Sequence, residues 1–132
     1  MSDTRKASCC CGQLHVECDG EPIRVSVCHC HSCQRRTGSV FGAQARFPRE
    51  HVRTFGQATT YTRLGDSGNA IHFHFCPTCG STVYYTLERA PDSIAVALGA
   101  FGDPEFPAPK ISVYEARKHA WVALPDGIEH LD

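Results

Sequence analysis

Long hydrophobic runs are missing from this sequence: stretches such as "SIAVALGAF", at 93–101, fall far short of the roughly 20 apolar residues that cross a bilayer. The opening "MSDTRKASCCCG" also lacks the apolar centre of an export signal, so a soluble, cytoplasmic protein without a membrane partner is expected. An excess of either charge is absent as well, with 13 Lys and Arg against 14 Asp and Glu and a net charge of -1. That balance offers no electrostatic footprint for nucleic acid and favours small molecules or proteins as partners. There is no internal repeat, low-complexity linker, Ser-His-Asp arrangement or phosphate-binding glycine loop. At 132 residues with no boundary signal, one domain spanning 1–132 is expected.

Helical periodicity is scarce too. Only "SCQRRTG" and "PREHV" read as single turns, whereas "QLHVEC" alternates Leu14, Val16 and Cys18 with polar residues at the period of a half-buried strand. "SVFGAQARF", "ATTYTRL", "NAIHFHF", "STVYYTLE" and "SIAVALGAF" continue in that manner, separated by Gly, Asp or Pro. "KISVYEARKHAWVALPDG" adds a last strand and a turn at Pro125 to Gly127. The expected fold class is mainly β, with two small antiparallel sheets pinned by metal.

Cysteine is what the sequence has in quantity. Nine residues, an odd number in a chain with no export signal, argue for reduced thiols and metal ligation rather than a disulfide framework. "FCPTCGS" holds Cys76 and Cys79 at the spacing of a metal knuckle, with Gly80 to complete the turn. "CCCG" offers Cys9 and Cys11 before Gly12, with Cys10 facing the other way if the stretch is extended. A closed structural site of Cys9, Cys11, Cys76 and Cys79 follows.

"VSVCHCHSCQRRTG" gathers Cys28, Cys30 and Cys33 within six residues, without an obvious fourth ligand. In an extended segment His29 and His31 turn away from the sulfurs, leaving an open corner of the kind catalytic zinc sites keep. Three thiolates on a dication leave the site near -1, a poor activator of water and a soft home for another sulfur. A substrate thiol deprotonated there could attack an aldehyde carbon. The alternatives are a second structural site closed by a histidine, a non-catalytic zinc-stabilised binding or thiol-sensing module, and a redox role for the three thiols.

The order "CCCG", "CHCHSCQRRTGS", "FCPTCGS" and "ISVYEARKHAWVALPDG" resembles the glutathione-dependent formaldehyde-activating enzyme family, which includes the centromere protein V type domain. The resemblance implies a zinc-pinned β-tent with its core at about 5–128. It implies two zinc ions per chain, a structural one on Cys9, Cys11, Cys76 and Cys79 and a catalytic one on Cys28, Cys30 and Cys33. It also implies a carbon-sulfur lyase of the S-(hydroxymethyl)glutathione synthase type, with glutathione or another small thiol and formaldehyde or a related aldehyde as substrates. The sequence departs from the family in Lys110, where a histidine is common, and in the extra thiols Cys10 and Cys18.

Arg35 and Arg36 follow the triad and are candidates to clamp a substrate carboxylate, with solvated surface arginines as the alternative. His72 and His74 share one strand face and are expected in supporting or surface roles. Trp121 and Phe41 are candidates for an apolar pocket or the core, and Cys10 and Cys18 for packed thiols.

Overall fold

In chain order the strands are β1 (Thr4–Ser8), β2 (His15–Asp19), β3 (Arg24–Cys28), β4 (Gly42–Pro48), β5 (Val52–Phe55), β6 (Thr59–Leu64), β7 (Ala70–Phe75), β8 (Thr82–Leu87), β9 (Ala90–Ala97), β10 (Ile111–Val113) and β11 (Glu129–His130). Among the described residues one α-helix, α1 (His31–Thr37), joins β3 to β4, and short 3-10 turns cover Arg49–His51, Leu98–Phe101 and Glu115–Arg117. This computed structural model describes residues 3–65 and 67–132. No helix among them is long and apolar enough to cross a membrane.

The strands form two sheets of unequal size. The smaller is antiparallel in the order β1-β2-β5; the larger runs β11-β10-β3-β4-β9-β8-β7-β6. The fold is mainly β, as expected, but the larger sheet is mixed: β10 pairs in parallel with both β3 and β11. A parallel pairing needs a long crossover, and the stretch from the end of β9 to Ile111 supplies it.

Period-two alternation divides the larger sheet into two chemical faces. Val25 of β3, Ala45 and Phe47 of β4, and Ile94 and Val96 of β9 pack in one core with Ala7, Val16 and Cys18 of the smaller sheet and with Leu14 just before β2. Phe47 and Leu14 are fully buried there, each contributing about 2–3 kcal/mol of apolar burial. Residues on the alternate positions, including Arg24, Ser26 and Cys28 of β3, Gln44 and Arg46 of β4, and Phe73 of β7, line a cavity on the other side. The core therefore holds the two sheets together while the opposite face of the same strands carries polar groups.

The connections shape the ends of this sandwich. Phe101 and Phe106 stack at 4.6 Å in the segment after β9, and Arg5 of β1 lies 4.9 Å from the Phe106 ring. Arg53 of β5 reaches across to Asp19 of β2 at 2.6 Å, and Thr4 Oγ1 of β1 donates to the same carboxylate at 2.8 Å. One carboxylate thus ties all three strands of the small sheet.

Candidate metal centres

The first cysteine cluster is built from two similar turns. After β1, the Cys9 N–H donates to Leu14 O and the Gly12 N–H to Cys9 O; after β7, the Cys76 N–H donates to Ser81 O and the Gly80 N–H to Cys76 O. Gly12 and Gly80 have φ of 88° and 83°, where an added side chain is strained even though space is open around both. The first stretch is therefore a turn, not the extended segment the sequence reading considered. Cys10 nevertheless points outward and is exposed, not a packed thiol as expected.

These turns bring Cys9, Cys11, Cys76 and Cys79 together, with all four sulfurs within 4.8 Å of one another. Sulfurs held about 2.3 Å from one ion at tetrahedral angles lie about 3.8 Å apart. Cys9 to Cys11 and Cys11 to Cys76 are each 3.7 Å. The sulfurs also receive hydrogen bonds suited to thiolates: Leu14 N–H donates to Cys9 at 3.3 Å, Thr78 N–H to Cys76 at 3.3 Å, and Gln13 Nε2 to Cys76 at 3.0 Å.

That environment spreads the thiol acidities. Burial pushes Cys76 up, but Gln13 and the N–H groups of Cys79 and Thr78 pull it down to about 7. Cys79 falls to about 5, chiefly through the Ser81 hydroxyl and N–H. Cys11 is lowered by the Gln13 backbone N–H, but burial and its sulfur neighbours outweigh that and raise it to about 11. A soft dication is what allows four such sulfurs to be deprotonated together.

The second cluster joins the end of β3 to the start of α1. Cys28 and Cys30 are two residues apart on extended chain and so share a side; Cys30 then caps α1, its sulfur accepting from the Cys33 N–H at 3.3 Å. The helical turn returns Cys33 to the same point, and the three sulfurs lie within 4.8 Å of one another. Cys30 is held far below the usual thiol range by hydrogen bonds from Cys28 and Cys33, while the contacts with Cys30 and Cys33, together with burial, hold Cys28 far above it. The contact with Cys28 pulls Cys33 down most strongly, but Cys30 and burial together outweigh it and raise the thiol.

Neither histidine belongs to that cluster. His29 is fully buried, with Nε2 2.9 Å from Ser112 Oγ of β10 and its ring 5.9 Å from Phe41. His31 opens α1 and lines the cavity. The extended segment at residues 28–30 turns His29 away, as the alternation predicts.

Two residues that the sequence reading overlooked fix this geometry. Gln34 Nε2 of α1 donates to His29 O at 2.8 Å and to Arg117 O at 3.1 Å, and its Oε1 lies 3.0 Å from His119 Nε2. It ties the cysteine loop to the segment after β10. Gly42 of β4 leaves the room that α1 occupies: an added Cβ would meet Arg36 Nη2 at 3.2 Å and Cys33 Cβ at 3.4 Å.

The triad opens onto a cavity of about 340 Å³. Arg36 lines it, its guanidinium 4.8 Å from the Phe73 ring and 5.6 Å from that of Tyr85, whereas exposed Arg35 does not. Burial raises the Tyr85 phenol well above its ordinary value, with a further push from Cys33, so it remains a neutral donor near neutral pH. Tyr114 also lines the cavity, in the left-handed region at φ 57°.

Other expectations are met for some residues and corrected for others. Trp121 is 72% exposed and lines neither cavity nor core; its edge meets His119 at 6.4 Å. Phe41 packs on His29 outside the cavity. His72 and His74 lie on the opposite face of β7, bonded to Thr62 at 2.8 Å and Thr60 at 3.1 Å, in a supporting surface role. Cys18 is a packed core thiol, raised to about 12 by burial and Asp19. Lys110 is exposed and outside the cavity, so this departure does not touch the triad.

Two sheets, one closed cluster of four sulfurs and one open cluster of three define a cysteine-rich β protein with two candidate metal centres. The chain belongs to the glutathione-dependent formaldehyde-activating enzyme family, whose sequence profile matches residues 4–117. No curated protein matches it. Among solved structures, that of a Rhodobacter sphaeroides protein superposes with a TM-score of 0.58 at 20% identity, covering 96% of this chain and 99% of the other. At that identity the likeness shows the fold alone.

Proposed function

We propose that the protein is a zinc-dependent enzyme of the carbon-sulfur lyase class, joining a small thiol such as glutathione to formaldehyde or a related aldehyde. The observation that carries this reading is the position of the triad: three converging sulfurs at the wall of a cavity, with both neighbouring histidines outside the ligand set. Cys9, Cys11, Cys76 and Cys79 would hold a structural zinc, and Cys28, Cys30 and Cys33 a catalytic one. A zinc ion on the triad would supply a fourth position at which a substrate thiol loses its proton.

The remaining roles fall to the chain. Arg36, braced against Phe73 and Tyr85, is placed to hold a substrate carboxylate. Tyr85, kept neutral by burial, is placed to donate to the aldehyde oxygen. As the sulfur's electron pair forms the new bond to carbon, the C=O π pair moves to oxygen, which takes up the proton the thiol released. Arg35 lies outside the cavity and has no part in this step.

The test is zinc per chain, with and without excess glutathione, for wild type and Cys30→Ser, alongside adduct formation above the spontaneous rate. Two zinc ions falling toward one in the folded variant, with loss of adduct formation, is the expected result. Tyr85→Phe should keep both metals and slow adduct formation by about tenfold to a hundredfold. Two tightly held zinc ions indifferent to glutathione, with no rate above background, would point instead to a binding module.

A further inference from the structure

The cavity continues beyond the triad, and its other end has a different chemistry. Strands β3 and β4 pair so that successive rungs on the cavity side are Cys28 with Gly42, Ser26 with Gln44, and Arg24 with Arg46. At about 3.3 Å per residue the arginine rung lies ~13 Å along the strand from Cys28. Like charges directly opposite on antiparallel strands destabilise a sheet. Here they are also partly buried, and Arg24 Nε is enclosed without a hydrogen-bond partner.

Nothing described nearby neutralises this pair. The ion pairs among the described residues involve neither Arg24, Arg46 nor Arg89, and no described Asp or Glu lines the cavity. Burial, then Arg24 and Arg89, make the Arg46 charge less favourable, with Tyr85 acting in the opposite sense. Between the arginines and the cysteines, Gln44 Nε2 donates to Ser26 Oγ at 2.7 Å, leaving Gln44 Oε1 buried and unpartnered. That oxygen can accept from a hydroxyl or amide N–H in the middle of a ligand.

We propose that Arg24, Arg46 and Arg89 form a subsite for a phosphate-type dianion carried by the substrate, at the opposite end from its reacting group. One carboxylate would leave most of this positive charge uncompensated. A phosphate monoester supplies two charges and several acceptor oxygens, matching guanidinium forks. This deepens the proposed function by naming a phosphate-bearing substrate class, and it rests on that reading only for what happens at the triad.

The experiment is calorimetric titration of metal-loaded protein with inorganic phosphate and, separately, acetate, on wild type, Arg24→Gln, Arg46→Gln and Cys30→Ser. Saturable phosphate binding is expected, weakened about tenfold or more in either arginine variant and unchanged in Cys30→Ser, with acetate weaker by a similar factor. In phosphate-free buffer Arg46→Gln should have a higher thermal midpoint than wild type, because it removes like-charge repulsion. Arg89→Gln, at an exposed residue, carries the same binding comparison if the strand variants fold poorly.

Absence of saturable binding, equal binding by acetate, or phosphate affinity untouched by the arginine variants would overturn the proposal. Phosphate binding lost only in Cys30→Ser would place the anion at the metal and likewise overturn it. The titrations contain no thiol, so failure of the thiol-aldehyde reading leaves their result intact. Conversely, glutathione-dependent turnover without phosphate binding would sink only this inference.

Discussion

The small residue at position 42 has an effect out of proportion to its size. Gly42 is buried opposite Cys28 and beneath α1, where an added methyl meets a flexible guanidinium at 3.2 Å and the firmly held Cys33 Cβ at 3.4 Å. The guanidinium can swing aside; Cys33 can move only with its helix. Gly42→Ala should therefore cost about 1 kcal/mol of stability and shift Cys33 away from its partners. The expected signature is a folded protein with less metal on the triad and normal metal on the other centre, read by elemental analysis and thermal denaturation. Full occupancy of both centres would show that α1 adapts without moving the sulfur.

The grouping of the sulfurs was legible at this scale, because cysteine spacing is a direct imprint of how side chains can converge. Cys76 and Cys79 needed only their separation and Gly80 to be recognised. Gln34 and Gly42 were not legible: a glutamine in a short helix and a glycine in a strand acquire meaning only from what lies opposite. The Arg24 and Arg46 pairing was hidden for the same reason, since it depends on the register of β3 against β4.

Elements show a related contrast. The alternating stretches that became β2, β4 and β7 were readable because one face is buried and the other is not. "TRKAS" became β1 despite its polarity, since its strand partner β2 supplies most of the apolar face. "RVSVC" was masked by the cysteines that follow it, and the parallel contact between β3 and β10 leaves no local pattern.

The Asp19 clasp gives the small sheet a pH dependence. Arg53 first, then Thr4, hold the Asp19 carboxyl down at about 2. A group whose folded value is depressed stabilises fully above its unfolded value, about 4, and loses that contribution as pH falls toward the folded value. Wild type should thus exceed Asp19→Asn in thermal midpoint near neutral pH, and the gap should close between about pH 4 and pH 2. The pair is exposed, so the gap will be small. A gap that widened on acidification would contradict the clasp.

For the molecule as a whole, the first centre and the shared core have the same task. Cys9 and Cys11 follow β1 of the small sheet, whereas Cys76 and Cys79 follow β7 of the large one. A metal held there would join two sheets across a separation of more than sixty residues, as Cys11 and Cys76 stand 65 apart in sequence. Structural zinc contributes about 10 kcal/mol or more in small domains, comparable to the entire stability of a typical domain. Cys76→Ser, or stripping both metals with a chelator, should abolish cooperative thermal unfolding, whereas Cys30→Ser should retain it. A cooperative transition surviving in Cys76→Ser would mean that the apolar core suffices.

The parallel contact of β10 with β3 bears on the order in which the molecule can be made. During synthesis the four-sulfur cluster has all its ligands once Cys79 emerges, but one edge of β3 waits for Ile111–Val113. Gln34 likewise waits for Arg117 and His119 before the cysteine loop is tied down. A nascent chain could therefore close one centre while the other still lacks its wall. The surroundings of the triad would consequently be completed later than the four-sulfur cluster, leaving its thiols exposed for longer to competing thiols and metals.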